Sequence, residues 1–386
     1  MFAAPKAEPF RIQVPDAVLA DLKARLANTR WPIEPKAPAW RYGADLAYVR
    51  SAIDYWQHKY DWRAAEAAMN KWPHYKADIS GKKVHFLMEK GSGASPMPLL
   101  LTHGWPGSIV EFLDMIDPLA HPERHGGRNE DAFTVIAPSL PGYGFSDPPD
   151  APITPRDIGH IWHKLMTEVI GATRYVAQGG DWGSVINSWL ALDHPREMAA
   201  LHLNMAGLRP FMSKTTPPVT PEEQAYMKAA NDRRERETAY QQIQGSKPQT
   251  LAYGLTDSPA GLAGWILEKF HGWTIPGQAA PPPFPLDKLL TNIMLYWIGG
   301  INPANWLYCS IVEGTAAALK EGERVNVPTG LFLFPNDLLL PGPRSWAERS
   351  YNVTHFRLAE KGGHFPALEN GPMLVEDMRA FFAKYR

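Results

Sequence analysis

Val176-Ala177-Gln178-Gly179-Gly180-Asp181-Trp182-Gly183-Ser184 is the stretch that decides how this chain is read. An apolar run, Tyr175-Val176-Ala177, leads into two glycines, an acid, one large residue and a third glycine. A helical pattern follows, with Val185, Trp189 and Leu190 on one face. This order describes a sharp strand-to-helix turn that holds one side chain above a parallel sheet. Gly179 and Gly183 are needed because so tight a turn has no room for a Cβ on both sides. The side chain held up is Asp181. Gly-Gly-Asp-x-Gly is also made of ordinary turn formers, so the role of Asp181 depends on partners elsewhere in the chain.

An acid at this position selects a chemistry. A serine that attacked an sp³ carbon would become an ether, which no side-chain base could hydrolyse. A carboxylate attacking the same carbon becomes an ester, and water can cleave that at the acid's own carbonyl carbon. The turn therefore suits displacement at alkyl carbon, either opening an epoxide or expelling a halide.

Outward from the turn, the chain alternates strands and helices. Val84–Met88, Pro98–Leu101, Phe133–Ala137 and Tyr175–Ala177 read as strands, with a helix from Pro155 to Ile170 before the last. Continuous apolar runs alternating with helices imply a mostly parallel sheet covered on both faces, an α/β class. After Leu201-His202-Leu203-Asn204 the pattern breaks for over a hundred residues. The segment 209–325 is helical, aromatic and punctuated by proline, and is expected to be a helical cap inserted over the site. Strand character returns at Gly330–Phe334 and Thr354–Leu358, and a helix from Leu374 to Tyr385 closes the chain. Residues 1–82 read as a helical N-terminal extension, with Leu19, Leu22 and Leu26 on one stripe and Leu46, Val49, Ile53 and Trp56 on another. The sheet core then comprises 83–208 and 326–386.

Composition narrows the function. Of the 386 residues, 45% are hydrophobic and 20% charged, with Lys+Arg 39 against Asp+Glu 40. The balance gives no reason to expect nucleic acid or an anionic membrane surface as partner. The single cysteine, Cys309, excludes an intrachain disulfide framework and fits a reducing compartment. No run is long and apolar enough to span a bilayer. A cytoplasmic protein is the expectation. Fourteen tryptophans suit a buried apolar substrate site as well as a core.

Groups able to work with Asp181 fall where such a turn needs them. His103-Gly104-Trp105-Pro106 follows the Pro98–Leu101 strand, the place from which a loop supplies one amide of an oxyanion hole. The donors would be the amides of Trp105 and Trp182, with His103, Gly104 and Pro106 supporting the loop. The base belongs last in chain order, and Lys361-Gly362-Gly363-His364-Phe365 offers His364. The acid that orients it belongs after the preceding strand, where Phe334-Pro335-Asn336-Asp337 offers Asp337, with Glu360 in reserve. Epoxide opening also needs an acid at the departing oxygen, and a phenol stays protonated at neutral pH. Tyr240, Tyr253, Tyr296 and Tyr308 all lie in the helical segment, and spacing does not choose among them.

Across nearly its whole length the chain resembles the epoxide hydrolases of the α/β-hydrolase superfamily, in the branch with the microsomal and juvenile-hormone enzymes. The resemblance rests on Pro9-Phe10-Arg11-Ile12-Gln13-Val14-Pro15, His103-Gly104-Trp105-Pro106-Gly107-Ser108, Pro141-Gly142-Tyr143-Gly144-Phe145-Ser146, Gly179–Gly183, Ile266-Leu267-Glu268-Lys269-Phe270 and Gly362-Gly363-His364-Phe365, in that order. It implies an α/β-hydrolase fold, with Asp181 as nucleophile, His364 as base, Asp337 as orienting acid and Tyr240 and Tyr308 as the cap tyrosines. Microsomal members carry glutamate at the acid position, so Asp337 is a departure.

The implied activity is conversion of an apolar epoxide to a vicinal diol through an ester on Asp181, without cofactor or metal. The expected partners are that epoxide and water, with no membrane anchor and, as assembly, a homodimer. The alternatives are a haloalkane dehalogenase, which also places an acid at this turn, and a ligand-binding relative without catalysis.

Overall fold

The computed structural model describes residues 6–386, so the first five residues of the expected extension lie outside the described residues. The described residues form one nine-stranded sheet. Its strands are β1 (Glu8–Phe10), β2 (His74–Ile79), β3 (Lys82–Glu89), β4 (Met97–Thr102), β5 (Phe133–Pro138), β6 (Tyr175–Gly179), β7 (Met198–Leu203), β8 (Val325–Leu333) and β9 (Tyr351–Leu358). They lie in the order β1-β2-β3-β5-β4-β6-β7-β8-β9. The β1–β2, β2–β3 and β3–β5 pairs are antiparallel, and every pairing from β5 to β9 is parallel.

The apolar runs have two destinations because side chains alternate across a strand. Leu99 and Leu101 of β4 join the cluster built on Met115, Leu119, Leu374 and Phe381, while Leu100 joins Ile158, Trp162 and Val185 in the other. The helices Leu113–Ala120 and Gly371–Phe382 thus cover one face. Pro155–Lys164 and Asp181–Asp193 cover the other.

Residues 6–82 differ from the expectation. Three helices are present, Asp16–Ala27, Leu46–His58 and Trp62–Met69, but so are two strands, β1 and β2, which extend the sheet at its antiparallel edge. Ser80 and Gly81 both have positive φ, 58° and 83°, and join Ile79 to Lys82 as a two-residue hairpin loop. The helices rest on the insertion as well as the sheet: Arg25 pairs with Asp257, and the Tyr60 hydroxyl lies 2.9 Å from Thr291 Oγ1.

Between β7 and β8 the chain leaves the sheet and runs through helices from Pro221 to Val312. The two ends of this excursion are tied together, with the Arg209 amide donating to the Ala317 carbonyl at 2.8 Å and the Leu319 amide to that of Arg209 at 3.1 Å.

Candidate active site

Asp181 stands at the C-terminal end of β6 as the first residue of the helix Asp181–Asp193. Its φ of 49° lies in the left-handed region, where a side-chain-bearing residue is strained. Close approach of β4 holds it there. A Cβ on Gly183 would lie 1.9 Å from the Thr102 carbonyl oxygen, and one on Gly104 only 2.2 Å from Asp181 Oδ1. Only glycine at these positions lets the two chain segments meet.

The carboxylate is divided between two partners. The Trp105 amide donates to Oδ1 at 2.8 Å, and His364 Nε2 lies 3.2 Å from Oδ2. The Trp182 amide, also expected on this carboxylate, makes no hydrogen bond to it here. It belongs to the first turn of the helix, whose leading N–H groups have no partner within the helix, so it stays beside Asp181 uncommitted.

His364 is buried and carries Asp337 on its other nitrogen, Nδ1 to Oδ1 being 2.6 Å. Burial opposes the imidazolium, but Asp337 and Asp181 together outweigh it and raise the pKa of His364 well above its ordinary value. Glu360 is exposed and takes no part. His103 locks the preceding loop: Nδ1 donates to the Gly104 carbonyl at 3.0 Å and Nε2 accepts from the Leu140 amide at 3.2 Å. Burial lowers its pKa to about 4, so the ring is neutral. The Pro106 carbonyl accepts from Asn292 Nδ2 at 2.6 Å.

The four tyrosines part company. Tyr253 is 72% exposed, and the Tyr296 hydroxyl donates to the Gly107 carbonyl at 2.6 Å. Tyr240 and Tyr308 are buried over the carboxylate loop. Tyr240 stacks on Trp105 with centroids 4.9 Å apart, and Tyr308 meets Trp182 edge-on at 5.0 Å. The Tyr308 hydroxyl is buried without a partner, while that of Tyr240 accepts from Gln241 Nε2 at 3.0 Å and keeps its own proton to donate. Burial, with Asp181 nearby, raises both pKa values, so both phenols are protonated.

Asp181, His364 and Asp337 thus form one connected row, with two protonated phenols packed on the tryptophans beside it. A model of the epoxide hydrolase N terminus matches residues 7–112, and one of the alpha/beta hydrolase fold matches 97–249. The sequence is 34% identical to epoxide hydrolase 1 of Sus scrofa over 405 residues, 97% of this chain and 88% of that protein.

The chain belongs to the epoxide hydrolases. A Stigmatella aurantiaca protein provisionally named an epoxide hydrolase is 39% identical, over 98% of this chain and 85% of its own length. The crystal structure of juvenile hormone epoxide hydrolase from Bombyx mori superposes with a TM-score of 0.87 at 30% identity, covering 99% of this chain and 95% of that one. The chain is therefore an epoxide hydrolase with the α/β-hydrolase fold. Among the described residues no helix is long and apolar enough to cross a membrane.

Several residues that hold this epoxide hydrolase site together carried no signal in the sequence. Glu369 accepts from the amides of Gly363 and Phe365 at 2.8 Å and 2.9 Å, bracketing His364. Trp273 of the insertion takes the His364 amide on its carbonyl at 3.0 Å and sets its ring edge against the imidazole. Arg233 joins the insertion to the acid loop through the carbonyls of Gly272 and Asn336.

Proposed function

We propose that hydrolysis proceeds through a covalent ester on Asp181, with an apolar epoxide as substrate. The observation that supports this most directly is the division of the carboxylate. Oδ1 rests on the Trp105 amide, so Oδ2 is left to attack carbon. Tyr240 and Tyr308 donate to the epoxide oxygen as the C–O bond breaks, since the alkoxide leaving group is too basic to depart unaided. His364, held in one tautomer by Asp337, then takes a proton from water as its oxygen adds to the ester carbonyl. The amides of Trp105 and Trp182 hold the resulting oxyanion. The tetrahedral species collapses by breaking the bond to the alkyl oxygen, and His364 returns its proton to that oxygen. Water's other proton, left on the Asp181 carboxyl, replaces the one that a tyrosine gave to the first alkoxide.

On this reading residues 209–325 are a cap over a core made of 83–208 and 326–386, and 1–82 form an extension bracing the cap. The aromatic enclosure of Trp105, Trp182, Trp273, Tyr240 and Tyr308 supports an apolar substrate. With one cysteine, Cys309, the protein suits the cytoplasm.

A single turnover with excess enzyme in heavy-oxygen water tests the covalent step. The diol should emerge unlabelled, with the heavy oxygen in the peptide containing Asp181. Labelled diol in that first turnover, with an unlabelled peptide, would mean that Asp181 only activates water.

A further inference from the structure

Beside the catalytic carboxylate lies a small space of about 20 Å³, with Thr102, Glu111, Gln178, Asp181, Asn204 and His364 among its walls. A volume of roughly 10–15 Å³ is enough for one water molecule when polar groups surround it. They do here. Gln178 is buried, donates through Nε2 to Asn204 Oδ1 at 2.9 Å, and leaves its own Oε1 without a partner. An orphaned buried acceptor beside a polar space of this size is the signature of a water site.

Two titratable groups bordering this space have no part in the reaction described above, His103 and Glu111. Both nitrogens of His103 are already taken by the Gly104 carbonyl and the Leu140 amide, which leaves Glu111. Its carboxyl lies so close to the His103–Ser108 loop that a Cβ on Gly107 would be 1.6 Å from Oε1. Burial pushes its pKa up to about 8, while His364 pulls it down and Asp181 pushes it further up. The three groups therefore sense one another. In the sequence this glutamate passes for a helix cap, since Ser108-Ile109-Val110-Glu111 has the spacing of a capping box.

We infer that Glu111 is a catalytic residue of the second half-reaction, its carboxyl and Gln178 Oε1 holding the water that His364 deprotonates. This rests on the ester intermediate proposed above. A water in this space is bounded by Asp181 and His364 at once, so the ester carbonyl carbon is on one side of it and Nε2 within reach. Its oxygen bonds to that carbon and one proton goes to Nε2. The other proton stays in a single hydrogen bond shared between the Glu111 carboxylate and Gln178 Oε1. Ring opening takes place under the tyrosines and does not involve this space.

Single-turnover kinetics on the full chain, with intact-protein mass spectrometry following a styrene-type epoxide, separates the two half-reactions. Glu111→Leu should form the alkyl-enzyme within about threefold of the normal rate but lose it about 10²-fold more slowly, at the lower end of what a positioned proton-transfer group contributes. Burial keeps Glu111 largely protonated below about pH 8, where Gln mimics it, so the comparison is made above that pH. There Glu111→Gln keeps the shape and one acceptor but cannot ionise, and should give an intermediate decay rate. Gln serves a capping box as well as Glu does, so a residue that only capped the helix would leave the Gln variant unchanged in both steps. Normal ester decay in Glu111→Gln above about pH 8 overturns the inference even if the Leu variant does not fold. His364→Gln, run in parallel, should accumulate a persistent adduct. If it forms none, the ester itself is wrong. If it does while Glu111→Leu decays normally, only the role of Glu111 fails.

Discussion

Tyr240 and Tyr308, 68 positions apart in the sequence, face each other with ring centroids 5.5 Å apart and planes at 72°. Both also touch Trp105, whose amide holds Asp181. The two phenols thus sit over the carboxylate loop, where the proposed ring opening would develop charge on the epoxide oxygen. Changing either to Phe should slow ring opening by about 10² to 10³, the usual cost of one donor to an oxyanion. The double variant should be nearly inactive with its melting temperature little altered. Normal turnover in Tyr308→Phe would remove the phenols from the mechanism, whereas Tyr253→Phe, at an exposed position, should change nothing.

The 2.6 Å contact between Asp337 and His364 Nδ1 predicts a large effect from a small change. Asp337→Asn retains the shape but presents an amide that can favour the wrong imidazole tautomer. Ester hydrolysis should fall by about 10⁴, as with the equivalent change in a Ser-His-Asp triad. Alkylation should fall much less. Glu360→Gln, on the exposed side of the same loop, should behave as the unaltered enzyme. Stopped-flow rates for the two steps would show whether the acid is Asp337 or the residue held in reserve.

A third test concerns stability. Asp377, on the closing helix, receives His202 Nε2, His355 Nε2 and Arg357 Nη1, each at 3.0 Å. Burial alone would raise its pKa, but these donors outweigh it and bring the carboxyl down from 3.8 to about 2. A depressed acid stabilises the fold above its unfolded pKa and loses that contribution as pH falls through the folded value. Asp377→Asn should therefore cost about 2 kcal/mol at neutral pH, the range for hydrogen bonds to a charged group. The gap between the two melting curves should narrow from about pH 4 downwards and close near pH 2. A gap constant across that range would mean that the carboxylate's charge is not what the helix depends on.

Much of this architecture was legible because backbone requirements leave marks in sequence. The glycines around Asp181 announce the turn, and apolar runs such as Leu99–Leu101 announce buried parallel strands. β1 and β2 were missed for a physical reason. β1 is an edge strand of three residues, β2 beside it mixes His74, Lys76 and Asp78 with its few apolar residues, and three helices dominate the surrounding pattern. Ser80-Gly81 was the available hairpin signal, both residues taking positive φ. In the site, order along the chain marked Asp181, His364 and Asp337. Glu111, Gln178 and Glu369 could not be marked in this way, because what they do depends on a space or a loop that exists only after folding. Spacing alone left four tyrosines open for the same reason: Tyr253 turned outward and Tyr296 bound to Gly107 look like the other two until the insertion is folded over the sheet.

The last prediction follows from the two carboxylates on His364. In the free enzyme Asp181 and Asp337 both raise its pKa against the opposing effect of burial. In the proposed mechanism alkylation turns Asp181 into a neutral ester, so one of the two supports disappears while the burial stays. The pKa of His364 must then fall, which favours the neutral imidazole just when a base is needed. The sign can be checked directly. The His364 ring should titrate at a higher pH in the free enzyme, followed by NMR, than the apparent pKa governing decay of the ester in single-turnover experiments. Below that apparent pKa the imidazole is protonated, and the ester should accumulate and be trapped by acid quench. Asp181→Asn, which removes the same charge without a substrate, should lower the His364 titration by a similar amount. If the ester decayed with an apparent pKa equal to or above the free-enzyme value, Asp181 would not be what charges His364, and the coupling between nucleophile and base argued from their 3.2 Å separation would be wrong.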